Sequence, residues 1–140
     1  MEMPNLRVTL SHPRIIKSSG EETFLLNIRN NRETALYNLE LSAFNNDGLE
    51  IFMDITKIDR IERNETFTVS MRVINNHSRY FRKNSAVTIS ISNENFMIDH
   101  RFTLTIEPVE NFWLLVIIAV AFLLAVLLSI IFIRLNKEEK

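Results

Sequence analysis

The side chains of this 140-residue chain that could do acid–base or metal chemistry are few and scattered. Its three histidines have no spacing that predicts a cluster; they are His12, His77 and His100. Asp54, Asp59 and Glu62 come nearest to a calcium loop, but the alternate spacing of oxygen ligands and the glycine of such a loop are missing. We interpret this acidic stretch as solvated and the histidines as structural, and we predict no metal site.

Nucleophilic and cofactor chemistry has no better support in the sequence. The chain has no cysteine, which excludes a disulfide, a thiolate zinc site and a cysteine nucleophile. No H-E-x-x-H, Gly-rich phosphate loop or G-x-S-x-G elbow occurs. We therefore predict that the protein is not an enzyme and has no cofactor and no small-molecule substrate. The alternative, an enzyme, would need His100 acting with Asp99 or Glu94.

The charge of the chain bears on its partners. The formal net charge is −1, which gives no support to a nucleic-acid partner, since such a partner would call for a basic stripe. One turn-like stretch, residues 75–84, does have the composition of an interaction surface, with two aromatic residues among three cations: Arg79, Tyr80, Phe81, Arg82 and Lys83. Aromatic and arginine side chains often anchor interfaces, and cations beside them attract anionic lipid headgroups or an acidic protein surface. The alternative is a solvated loop with one ring plugged into the end of the domain.

Two triplets match the acceptor pattern for N-glycosylation, at Asn64 and Asn76. Both fall where we predict loops or strand edges. The chain contains 15 asparagines, so one or two such triplets are expected by chance. They support an extracytoplasmic domain only slightly.

Residues 112–133 form an uninterrupted apolar segment in which Ser129 is the only polar residue. Twenty-two helical residues span roughly 33 Å, which matches a bilayer core of about 30 Å. The sequence therefore predicts one transmembrane helix, with Trp113 as an anchor at the headgroup level. Ala121 and Ala125 lie four residues apart and form a seam of small residues for a neighbouring helix. The alternative for this seam is plain packing against lipid.

The charges beside this segment predict its orientation. No Lys or Arg precedes it more closely than Arg101, and three follow it: Arg134, Lys137 and Lys140. By the positive-inside rule, the tail (residues 134–140) is expected in the cytoplasm and the domain (residues 1–106) outside the cell membrane, with residues 107–111 as a short linker. The first residues contain no apolar stretch of a signal peptide. Either the start lies downstream of one, or the protein is tail-anchored with its domain in the cytoplasm.

Residues 1–106 alternate between apolar and polar side chains, which predicts β-strands. The predicted inward-facing residues are Leu6, Val8, Leu10, Phe24, Leu26, Ile28, Tyr37, Leu39, Leu41, Ala43, Phe67, Val69, Met71, Val73, Val87, Ile89, Ile91, Phe96, Ile98, Phe102, Leu104 and Ile106. His100 shares the parity of its strand's apolar residues, so we expect it to be partly buried and hydrogen-bonded across the sheet, or to mark a bulge. About seven strands result, and the predicted fold is all-β: an antiparallel Ig-like β-sandwich followed by one C-terminal transmembrane helix.

Turn signals separate these strands. Asn30-Asn31 and the segment 93–95 predict turns, and Asp47-Gly48 predicts a hairpin whose returning strand is 49–53. Ile55, Ile58 and Ile61 are spaced by three and break the alternation. We interpret the segment that holds them as an irregular cross-over loop.

The order of these elements resembles the Ig-like domains of archaeal and bacterial surface proteins, the CARDB-like and S-layer-associated families. The Asn30-Asn31 turn precedes the segment ALYNLEL (35–41), and the segment IDRIERNETFTV (58–69) leads into a strand. This chain has Asn31 and Asn64 where those families have glycine, and asparagine also tolerates the left-handed conformation. The resemblance implies a non-catalytic Ig-like sandwich.

The layout is also similar to that of the beta subunit of the eukaryotic translocon-associated protein complex, which implies an accessory role beside a membrane channel. We expect an interaction or accessory subunit of a membrane or cell-envelope complex, with the membrane and other membrane or envelope proteins as partners. One alternative is a structural surface protein that binds envelope glycan or S-layer material. The other is a translocon-associated accessory protein.

Overall fold

The computed structural model describes residues 5–138, and within them the chain forms nine β-strands and one α-helix. In chain order these are β1 (Leu6–Leu10), β2 (Ile15–Lys17), β3 (Glu21–Asn30), β4 (Leu36–Asn45), β5 (Glu50–Met53), β6 (Lys57–Ile61), β7 (Thr66–Ile74), β8 (Lys83–Asn93), β9 (Phe96–Glu107) and α1 (Phe112–Glu138). They divide into two compact units, the first ending at Val109 and the second beginning at Glu110. Residues 1–4 of the predicted domain and 139–140 of the predicted tail lie outside the described residues.

The strands form two sheets. One has four strands in the order β1-β3-β7-β5, and the other has five in the order β2-β9-β8-β4-β6. Every pairing is antiparallel except that of β2 with the end of β9, which is parallel. The predicted antiparallel β-sandwich is therefore confirmed. Two of the nine strands, β2 and β6, were not predicted as strands.

The core lies between the two sheets and is apolar on both inner faces. In β8, Val87, Ile89 and Ile91 are completely buried, and so are Val69, Met71 and Val73 of β7 in the opposite sheet. Burying one such side chain contributes about 1.5 to 3 kcal/mol relative to leaving it exposed. Because the chain has no cysteine, packing of this kind, with no disulfide, holds the sandwich together.

The segment that contains Ile58 and Ile61 is a strand, so the predicted cross-over loop is wrong for these residues. In β6, which pairs with β4, both isoleucines are buried although they are three residues apart. The reason lies in β4, where Asn38 has a positive φ of 51°. This backbone conformation shifts the alternation, so that Leu36 and Leu39 both face the core. The prediction that Tyr37 faces inward is wrong for the same reason, since its side chain is 51% exposed.

The Asp47-Gly48 pair does not form the predicted hairpin. Gly48 does adopt a positive φ of 72°, as a turn glycine should. However, β4 belongs to the five-stranded sheet while β5 pairs with β7 in the other sheet, so this turn carries the chain across the sandwich. The Asn45 side chain holds it: Oδ1 accepts from the Asp47 and Leu49 amides at 3.0 and 2.9 Å, and Nδ2 donates to the Leu49 carbonyl at 2.7 Å. The predicted turn at 93–95 is present as the β8–β9 hairpin.

The C-terminal helix α1 contains 27 residues and includes the whole apolar segment 112–133. Helical structure continues through residues 134–138, which the sequence pattern assigned to a tail. Lysine and glutamate are good helix formers, so the helix has no local reason to end at Ile133. Within residues 5–138, this is the one helix long and apolar enough to cross a membrane, with a mean hydropathy of 3.4 over its most apolar part.

Candidate interaction surface

The aromatic and basic residues singled out in the sequence lie mainly in one loop. This loop, residues 75–82, joins β7 to β8, and it carries Arg79, Tyr80, Phe81 and Arg82. Lys83 is the first residue of β8 rather than part of the turn. The loop borders a shallow depression of about 390 Å³ lined by residues 78–83.

Backbone hydrogen bonds hold the 75–82 loop against the C-terminal end of β9. The Val109 amide donates to the Arg79 carbonyl at 2.8 Å. The Ser18 hydroxyl accepts from the Arg79 amide at 3.1 Å, and it lies 2.8 Å from the Glu107 carbonyl, to which it donates. One serine thus connects the loop to the last residue of β9. We call this end of the sandwich, where the chain leaves it, the exit end.

A buried asparagine organises the start of the loop. Asn75 is 1% exposed, and its amide donates to the Gly20 carbonyl at 2.8 Å. Its side chain accepts from the His77 amide at 3.2 Å and donates to the Lys17 carbonyl at 3.4 Å. Gly20 is needed here because a Cβ atom would lie 2.9 Å from the Lys17 carbonyl oxygen. The 17–20 turn and the 75–82 loop are therefore built as one unit.

The aromatic side chains of the loop are exposed while its backbone is held by hydrogen bonds. Tyr80 is 57% exposed and Phe81 is 68% exposed. The Arg82 guanidinium lies 3.6 Å from the Glu107 carboxylate, and the Lys83 ammonium forms an ion pair with Asp47. The contact with Lys83 holds the pKa of Asp47 below its usual value of 3.8. The exit end therefore presents two aromatic rings beside Arg82 and Lys83, each of which has a carboxylate partner.

The two asparagines of the glycosylation triplets are both exposed. Asn64 has a positive φ of 59° in the turn between β6 and β7, so it takes the left-handed conformation expected of a residue that replaces glycine. Asn31 has no positive φ, and the expectation for that position is wrong. Asn76 lies in the 75–82 loop, where its side chain donates to Glu50 at 2.5 Å. Glycosylation at both positions stays a prediction.

The candidate titratable residues do not converge. Within residues 5–138, no group of three or more His, Asp or Glu side chains could hold a metal ion. His100 is partly buried on β9, and burial lowers the pKa of its imidazole, while the nearby Asp99 carboxylate opposes this shift. Its Nε2 atom is buried and makes no hydrogen bond, so the expected bond across the sheet is not made by that nitrogen. Asp54 accepts from the Ser70 amide at 2.9 Å, which closes the end of β5.

In α1, the candidate anchor and seam are both exposed side chains of the helix. Trp113 is 63% exposed in the first turn. Ala121 and Ala125 lie one helical turn apart, and Ser129 continues the same row. The Ser129 hydroxyl donates to the Ala125 carbonyl at 2.8 Å. The only polar side chain of the apolar segment is therefore satisfied within the helix, as a bilayer interior requires.

The sequence pattern missed the role of Asn30, which it assigned only to a turn. Asn30 is completely buried at the end of the sandwich opposite the exit end, which we call the hairpin end. Its Nδ2 lies 2.9, 3.1 and 3.2 Å from the carbonyl oxygens of Thr34, Ile61 and Glu62, and its Oδ1 accepts from the Arg32 amide at 2.9 Å. A signal was present, because Asn30 has the inward parity of Ile28.

Comparisons with known proteins match this fold but give no close relative. No family profile and no curated protein matches the chain. Among solved structures, Escherichia coli α-2-macroglobulin matches at 14% identity with a TM-score of 0.61, over 74% of this chain and 9% of that one. The PapD-like domain 7 of human CEP192 matches at 12% identity with a TM-score of 0.51, over 79% and 91% of the two chains.

The CARDB domain of a Pyrococcus furiosus protein also matches, at 10% identity with a TM-score of 0.49, over 76% of this chain and 98% of that one. This chain therefore spans only a small part of the α-2-macroglobulin but nearly all of the single domains. PapD-like domains share the Ig-type sandwich architecture. The protein consists of an Ig-like β-sandwich followed by one long apolar C-terminal helix.

Proposed function

We propose that this protein is a non-enzymatic, single-pass membrane protein whose β-sandwich is an interaction or accessory subunit of a membrane or cell-envelope complex. The observation that carries the proposal is the exposure of the apolar helix α1. None of its most apolar part is buried, and a helix that is apolar on all sides needs lipid or protein around it. A bilayer supplies that environment along the length of the helix.

An interaction role accounts better for the domain than catalysis does. The described residues bring together no metal-ligand group, and the residues that an enzyme would need, His100 with Asp99 or Glu94, form no hydrogen-bonded pair among the described contacts. The exposed aromatic pair at the exit end is instead of the kind that anchors interfaces. We further propose that the domain lies outside the cytoplasm, because the cations follow the apolar segment 112–133 rather than precede it.

A second candidate is a surface protein that binds envelope glycan. An open cavity of about 280 Å³ at the hairpin end favours it, since it is lined partly by an aromatic ring and side-chain amides, among them Tyr37, Asn38 and Asn93. Rings and amides are groups that bind sugars through stacking and hydrogen bonds. The Tyr37 ring is, however, already covered in part by the Arg60 guanidinium at 5.3 Å.

The interaction role is tested by crosslinking the full chain in its native membranes and purifying it in a mild detergent. We expect a reproducible partner in a fixed ratio. The double variant Tyr80→Ser/Phe81→Ser should lose most of it, while Tyr37→Ser at the hairpin end should keep it. If only the Tyr37→Ser variant lost the partner, this would favour glycan binding at the hairpin end. Recovery of the chain alone, at every crosslinker length, would overturn the interaction role.

Orientation is tested with single cysteines, because the chain has none of its own. An Asn95→Cys variant carries its thiol on the exposed β8–β9 turn. A membrane-impermeant maleimide should label it in intact cells. Labelling only after the membrane is opened would mean that the domain is cytoplasmic.

A further inference from the structure

The 75–82 loop and the point where the chain leaves the sandwich are at the same end of the domain. Val109 is the last residue of the first unit, and its amide is bonded to the Arg79 carbonyl at 2.8 Å. Arg82 is paired with Glu107, the last residue of β9. Within the sandwich unit, Tyr80 and Phe81 are therefore next to the exit of the chain.

The covalent chain limits how far this loop can be from a membrane that α1 crosses. The helix begins at Phe112, three residues after Val109. Three residues of extended chain span at most about 11 Å. The headgroup region of a bilayer is roughly 5 to 8 Å thick on each side of the apolar core. The linker therefore keeps Val109 within about 11 Å of the start of α1, a distance of the same order as the headgroup region.

The side chains of the loop suit that environment. Phe81 exposes 68% of its surface and Tyr80 exposes 57%. A single exposed apolar residue is ordinary on a soluble domain, but two adjacent rings at the exit of the chain are what a headgroup belt requires. A tyrosine there can bury its ring and keep its hydroxyl in water.

Ring burial, rather than charge, should dominate the contact. Arg82 and Lys83 each have a carboxylate partner, Glu107 and Asp47. A lysine or arginine is attracted less strongly to an anionic surface when a carboxylate partner compensates its charge. Burying an exposed aromatic ring is favourable whatever the charge of the lipid. The contact should therefore form on a zwitterionic bilayer and gain little from anionic lipid.

We propose that the 75–82 loop is a second membrane anchor, with Tyr80 and Phe81 among the headgroups of the membrane that α1 crosses. The anchor limits the tilt of the sandwich and so sets which of its faces meet a partner. This inference rests on the proposed insertion of α1 in a membrane.

The test uses the full chain in phosphatidylcholine nanodiscs, with an environment-sensitive fluorophore on one cysteine. Phe81→Cys places it in the loop, and Glu94→Cys places it on the exposed β8–β9 turn as a matched control. We expect blue-shifted emission and at least twofold quenching by lipids with a nitroxide near the headgroup for position 81. Position 94 should show neither. Equal, weak quenching at both positions would overturn the anchor.

Two further measurements separate the possible failures. Adding 30% phosphatidylglycerol should change the quenching at position 81 by less than twofold, and quenching that needs this lipid would overturn the dominance of ring burial. Co-flotation of the chain with liposomes reports the insertion of α1, on which the anchor depends. Flotation without quenching would overturn only the anchor, whereas failure to float would overturn the proposed membrane function. Circular dichroism of each labelled variant checks that the sandwich is folded.

Discussion

The two ends of the sandwich are both organised by a buried asparagine, but they differ in how completely it is used. At the hairpin end, Asn30 meets three carbonyl oxygens within 3.2 Å and one backbone amide. At the exit end, the side chain of Asn75 has one carbonyl partner at 3.4 Å and one amide partner at 3.2 Å. The hairpin end is thus held by an asparagine side chain with several hydrogen-bond partners. The exit end is held by longer hydrogen bonds of Asn75 together with bonds of serine side chains and the backbone. We infer that the hairpin end contributes more to the stability of the fold, while the exit end presents its exposed aromatic side chains.

The largest effect is expected for Asn30→Ala. The buried Ile61 carbonyl and the partly buried carbonyls of Thr34 and Glu62 would lose their side-chain donor. An unsatisfied buried group costs about 1 to 3 kcal/mol, so we expect the free energy of unfolding to fall by about 3 kcal/mol. Denaturant unfolding of the full chain in nanodiscs, followed by the β signal in circular dichroism, measures it. The exposed neighbour Asn31→Ala is the control and should change stability by less than about 0.5 kcal/mol.

Asn75→Ala should lower the free energy of unfolding by less than half as much as Asn30→Ala does. Its longer bonds to Lys17 and His77 predict a loss of about 1 kcal/mol. Hydrogen exchange should show faster exchange confined to residues 17–20 and 75–82. An effect as large as that of Asn30→Ala would contradict the distinction between the two ends.

The Asp47–Lys83 pair makes the exit end sensitive to acid. Because the Lys83 ammonium lowers the pKa of Asp47 in the folded state, the unfolded chain binds the proton more tightly. The stability that this ion pair contributes is complete above pH 3.8, the ordinary pKa of an aspartate. It is lost as the pH falls through that value towards the lower pKa of Asp47 in the folded state. Asp47→Asn should remove this acid-dependent part in melts between pH 5 and 2.5. An unchanged pH profile in the variant would argue against the ion pair.

The smallest effect on stability is expected for Phe81→Ser. The ring is mostly exposed, so its removal should change the free energy of unfolding by less than about 0.5 kcal/mol. The same variant should weaken the membrane and partner contacts of the exit end. If it destabilised the fold by more than 1 kcal/mol, the ring would be part of the core, and the exit end would not be a presenting surface.

Most strands could be predicted because one residue in two faces the core along β3, β7, β8 and β9, and this alternation is visible in the sequence. Other features depended on distant partners. Ile58 and Ile61 face inward together because β6 follows the shifted alternation that Asn38 causes in β4. The Asp47-Gly48 pair specifies a turn in the backbone, but the partners of β4 and β5 decide that this turn joins two sheets. The composition of residues 79–83 singled them out as a candidate interaction surface, but it did not predict that they lie at the exit end.

By itself, the sequence determined the local features: alternating strands, one apolar helix, and the absence of any cysteine chemistry. These depend on properties of neighbouring residues, namely hydrophobicity and backbone preference. Only the tertiary structure decided which strands pair and that Asn30 and Asn75 are buried. It also decided that the aromatic loop lies beside Val109 at the exit of the chain. Such features join residues that are 30 to 60 positions apart, and only the packing of the two sheets brings those residues together.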